Sequence, residues 1–152
     1  MMDPYATLLA ARTEIVDEAM SSLQSSHQVH YESAGDLFTR QRLEDLYDLV
    51  VTAIRDRDLS PVTAYAGQVA DERFNAGFDV SEVQTAFNAL ETAMWRRIIS
   101  AEPPESLAES IGLVGTVFGQ AKDALARAYV SLAAHRHVTS LDLSALFRGT
   151  NS

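Results

Sequence analysis

Across residues 73–83 the chain reads Arg-Phe-Asn-Ala-Gly-Phe-Asp-Val-Ser-Glu-Val, and nearly every local signal there ends one helix and begins another. Gly77 suits the left-handed residue that closes a helix, since it lacks the Cβ that makes this conformation costly. Asp79 can cap the next helix, and Glu82, three residues on, can reach back to the cap's own N–H. Phe78 and Val83 hold the two positions that form a hydrophobic staple across such a cap. This corner fixes part of the architecture. It names no reaction.

The rest of the chain has helical periodicity. Residues 4–25 predict one helix, with Leu8, Leu9, Ile15, Val16, Met20 and Leu23 on a broad face. The Ser25–His30 stretch and Gly35 interrupt the period, leaving His27 and His30 in a loop. A second helix covers 36–56, with Leu43, Leu46, Tyr47, Val50 and Ile54 at 3–4 spacing. Ser60-Pro61 opens a third, with serine at the cap and proline at the first helical position, and Gly77 ends it. The fourth runs over 80–101, where Trp95 and Ile99 add a second apolar edge that predicts flanking on two sides. Pro103-Pro104 forces a break.

The fifth and longest helix covers about 105–137 and carries Gly112, Gly115 and Gly119 inside it. Glycine costs about 1 kcal/mol relative to alanine at such positions. Three of them predict either close approach of another backbone or a bend that opens a small cavity. Residues 138–152 offer one short helical segment with Leu143, Leu146 and Phe147 on a side. No stretch alternates with period two. The expectation is an all-α, five-helix globin-like or bundle domain with a long C-terminal helix, over residues 1–138, followed by a tail at 139–152.

At 152 residues, with 47% hydrophobic and 22% charged, the chain suits one globular domain. The absence of cysteine excludes disulfides, thiolate metal sites and cysteine nucleophiles, and fits a cytoplasmic setting. The net charge of −9 comes without a visible basic face, which argues against autonomous nucleic-acid binding and against adhesion to an anionic membrane. No apolar run reaches the ~20 residues of a membrane span, and the N-terminus lacks the basic start of a secretory signal.

Candidate chemistry is sparse. His135 and His137, two apart on a helix, point to nearly opposite sides, and a metal site wants three or four converging ligands. No Glu-x-x-His pair of a di-iron bundle occurs. Haem would need an axial ligand in an apolar pocket; Tyr47 and Tyr65 sit on hydrophobic stripes and read as core. The carboxylates of Glu14-Asp17-Glu18, Glu44-Asp45-Asp48 and Glu102-Glu105-Glu109 fall off those stripes or in a loop and read as solvated surface. No catalytic set, metal site or cofactor site is expected.

The pattern Arg73-x-x-x-Gly77-Phe78-x-x-x-Glu82-Val83, followed by Phe87 and by Trp95 between Met94 and Arg96, resembles the RsbRD N-terminal domain family, regulatory helical domains of stress signalling. The resemblance is strongest over residues 59–100. It implies a non-enzymatic, haem-free, globin-like and dimeric input module that works by contact with a protein partner. Two readings follow. One is a regulatory module that dimerises through the fifth helix; the other is a ligand- or haem-binding sensor with a pocket lined by Tyr65, Phe87, Trp95 and Phe118. Arg73 either makes an exposed pair with Glu82 or another carboxylate across the corner, or receives an acidic group from a partner.

Overall fold

In a computed structural model, the backbone is described for residues 4–151 and side chains for residues 5–136. Seven α-helices follow in order: α1 (Pro4–Ala10), α2 (Arg12–Ser25), α3 (Val29–Ala34), α4 (Asp36–Asp56), α5 (Ser60–Asn75), α6 (Val80–Ala101) and α7 (Pro104–Asn151). The described residues are all-α, as the periodicity predicts. The helix α4 and the α5–α6 corner fall where the sequence puts them.

Three differences from the sequence expectation have identifiable causes. The single helix expected over 4–25 breaks at buried Ala11, whose φ of −105° and ψ of 15° leave the helical well. There the Leu8 carbonyl accepts the Ala11 N–H at 3.1 Å in a tight turn, and also the buried Tyr47 hydroxyl from α4. The loop expected around His30 contains α3, which packs on α4. At the start of α5 the helix includes Ser60, and the capping group is Asp58: its Oδ1 accepts the Ser60 N–H at 3.0 Å. That bond takes the first orphan N–H of α5, whereas a serine at the cap would have taken the second or third.

The core is one cluster in which α5 packs along α7 and α6 packs against both α2 and α7. Tyr47, Leu90, Met94, Ile98, Phe118 and Leu125 are fully buried within it. Interhelix ion pairs rim this core. Arg12 of α2 binds Asp48 of α4 at 2.8 Å, and Arg96 of α6 binds Glu18 of α2 at 2.7 Å. Arg40 binds Asp17 at 2.5 Å, and Arg97 pairs with Glu14. Several carboxylates expected to be solvated are therefore cross-links, and Glu102 is buried, with Ser106 Oγ donating to it at 2.7 Å.

The helix α7 is 48 residues long, or ~72 Å at the α-helical rise. It continues through the segment expected to be a tail. Its glycines also depart from expectation. A Cβ built on Gly112, Gly115 or Gly119 meets nothing within 4 Å, so no close backbone approach inside the chain calls for them. All three face outward. Trp95 and Ile99 are 43% and 44% exposed, so among the described residues no element covers the second edge of α6.

Candidate functional site

The corner forms as a pair of interlocked caps. Gly77, at φ 89°, follows the end of α5; its N–H bonds the Phe74 carbonyl at 3.1 Å, and the Phe78 N–H bonds that of Arg73 at 2.9 Å. These are the two bonds of a Schellman motif. The Glu82 carboxylate then accepts the Asp79 N–H at 3.1 Å, completing the capping box that starts α6. Phe78 and Val83 are both buried, as a staple requires.

Around this corner the chain gathers a cluster of rings and charges. Phe78 lies 4.8 Å from the Tyr31 ring, edge-on, 5.1 Å from His30 and 6.5 Å from Phe38. From α7, the Tyr129 hydroxyl donates to the Phe78 carbonyl at 3.1 Å. One residue thus ties α3 and α4, through its ring, and α7, through its carbonyl, to the α5–α6 corner.

Arg73 is the largest fully buried side chain, at 2% exposure, which overturns the expected exposed pair with Glu82. Its guanidinium lies over Phe38 at 4.8 Å and over Phe78 at 5.6 Å, and it pairs with its neighbour Glu72. Cation–π contacts are strongest where water is excluded, as here. The reason for its burial is register. Val62, Ala66, Val69 and Arg73 share one face of α5, so the apolar stripe ends on a guanidinium.

Glu82 is claimed instead by α3. Its buried carboxylate accepts the His30 N–H at 2.9 Å and meets His30 Nδ1 at 2.5 Å. Burial alone would raise its pKa, but the His30 and Asp79 backbone N–H groups and the His30 ring outweigh that and hold it below its ordinary value. Burial pushes the Tyr31 phenol up, against the opposing pull of the adjacent Arg73 charge. Burial likewise pushes Tyr129 up to about 12.

The motif residues therefore divide. Arg73, Gly77, Phe78, Glu82 and Val83 assemble at the corner. Phe87 lies further along α6 and lines a small cavity of about 10 Å³ with Tyr65, Tyr31, Arg42 and Arg73. Trp95 and Phe118, expected to share a pocket with Tyr65 and Phe87, do not line that cavity. Trp95 is on the outer side of α6 and Phe118 is in the core. The cavity has room for one water-sized body, far below the 300 Å³ or so of a drug-sized site.

Sequence reasoning missed His30, Tyr31, Phe38, Arg42 and Tyr129. Tyr129 was within reach, four residues after Leu125 on the buried stripe of α7. Nothing in the sequence links His30 to Glu82, 52 residues away. Among the described residues no group of three or more His, Asp or Glu side chains is placed to hold a metal ion. No helix among the described residues is long and apolar enough to cross a membrane.

Fold and site together define an all-α domain whose helices are tied at one capped corner. The family model of the RsbT co-antagonist protein rsbRD N-terminal domain matches residues 9–142, and the chain belongs to that family. It is a regulatory domain of stress signalling. No curated protein and no solved structure gives a match.

Proposed function

We propose that this domain acts without catalysis, as a homodimer formed through the outer face of α7, and passes its signal by contact with a protein partner in the cytoplasm. The observation that carries the proposal is the set of outward glycines on α7. Each costs about 1 kcal/mol of helix stability against alanine. Packing within the chain gives no return on that, because a Cβ at any of the three would be unobstructed.

Helical geometry puts Gly112, Gly115, Gly119, Ala126 and Val130 on one stripe about 60° wide. Val130 is 68% exposed, in a shallow apolar trough with Ala126 and Ala134. A second helix could approach such a face closely, which is what the sequence predicts of glycines in a helix but finds no partner for within the chain. The length of α7 supports the same reading. The last buried residue described is Tyr129, while the helix continues to Asn151, and helices in proteins take most of their stability from packing of an apolar face rather than from propensity. For the partner, the family's own description, a co-antagonist of RsbT, supports a signalling protein.

Sedimentation tests the dimer. The full chain is expected at twice its 16.6 kDa mass, and the Gly115→Leu/Gly119→Leu variant at the mass of one chain with its helical content retained. A wild-type chain that stays monomeric at high concentration removes the proposal.

A further inference from the structure

The cavity between α4, α5 and α6 is unusual in its donors. It is lined by Tyr31, Thr39, Arg42, Tyr65, Arg73 and Phe87, with aliphatic side chains closing the rest. Two guanidinium groups meet there. Arg73 Nε and Arg42 Nε are both buried atoms with no hydrogen-bond partner. Both guanidinium groups also lie over the same Phe38 ring, Arg73 at 4.8 Å and Arg42 at 5.5 Å.

Two like charges held on one ring repel unless something negative stands between them. The carboxylates that pair with them approach from outside the cavity. Glu72 reaches Arg73 from the neighbouring position and is about half exposed. Asp45 reaches Arg42 at 3.5 Å from the next turn of α4. No carboxylate lines the cavity itself. A guanidinium offers donors only, and Thr39 Oγ1 already donates to the Gly35 carbonyl at 3.0 Å.

We propose that this cavity is a binding site for one small monovalent anion of halide size, held by Arg42 Nε and Arg73 Nε. A water would accept from both donors and could donate in turn to the Tyr31, Tyr65 or Thr39 hydroxyl oxygens. Hydrogen bonding alone therefore does not choose between water and an anion; the charge of the two guanidinium groups does. An anion neutralises the pair. The cavity, at about 10 Å³, admits a single water-sized body. A halide is larger than a water, and the Arg42 side of the cavity, where that side chain is 34% exposed, leaves it room. Oxyanions such as sulfate and phosphate are too large for it. Occupancy would link Arg42 on α4 to Arg73 at the α5–α6 corner, coupling the local anion concentration to the stiffness of that corner. The proposal stands apart from the dimer and survives its failure.

The test uses the full chain. Thermal unfolding is compared in sodium chloride, sodium bromide and sodium gluconate at equal ionic strength. Crystals soaked in bromide are examined for anomalous signal. The expected result is a midpoint about 3 °C higher in chloride or bromide than in gluconate at a tenfold excess over the dissociation constant. A bromide peak within hydrogen-bond distance of both Nε atoms should accompany it. Arg42→Gln should abolish the halide shift, while Arg40→Gln, which removes an exposed pair with Asp17, should retain it. A water with no anomalous signal at that position overturns the proposal. So does a midpoint independent of the anion, or a halide shift that persists in Arg42→Gln.

Discussion

Phe78 and Glu82 do at the residue scale what the motif promises only in part. Each serves the cap that its spacing predicts, and each also ties a distant helix to that cap. Phe78→Ala should therefore cost about 3–5 kcal/mol in urea unfolding, the range for a buried aromatic. Gly77→Ala should cost about 1–2 kcal/mol from backbone strain alone, because its Cβ would meet His30 Nε2 at 3.7 Å, an ordinary contact. The Glu82 carboxyl titrates below its ordinary 4.5 when folded, so its stabilisation is whole above that pH and is lost as pH falls through the folded value. Glu82→Gln should flatten this acid limb in pH-dependent melting.

Tyr129 has the opposite sign. Its folded value of about 12 stands above the ordinary 10, so its stabilisation is whole below pH 10 and fades as pH rises towards 12. Tyr129→Phe should shrink the alkaline loss. Arg73 was legible in the motif but not in its burial. Charge suggested surface, whereas its register after Val69 put it inside, a case where spacing outranked residue type.

At the scale of elements, the sequence reported best where structure is set by neighbours in the chain. The bounds of α4 and α6 and the Schellman corner follow from caps, glycine and proline within a few residues. The break at Ala11 was illegible because its cause is Tyr47, 39 residues beyond Leu8, whose hydroxyl takes the Leu8 carbonyl. The α3–Glu82 link was hidden for the same reason. The α7 glycines were read correctly as costly, but the structure turns them outward. Gly112→Ala should accordingly raise stability by about 1 kcal/mol, read by urea unfolding at dilutions where the chain is a monomer. If it is instead destabilising there, the glycine has an intrachain role.

At the scale of the whole molecule, a core of tightly packed helices is rimmed by exposed ion pairs that individually contribute about 0–1 kcal/mol. Stability therefore rests on the core and on the corner, leaving the outer face of α7 free of any structural duty within the chain. That freedom is what the proposed dimer explains, and it was only half visible in the sequence. The stripe of small residues could be counted there, but which way it faced depended on how α5 and α6 pack against α7. Sedimentation equilibrium of the wild-type chain beside Gly115→Leu/Gly119→Leu probes this directly. A wild-type dimer and a folded, monomeric variant are expected. A variant that dimerises as tightly as the wild type would contradict the proposed dimer face.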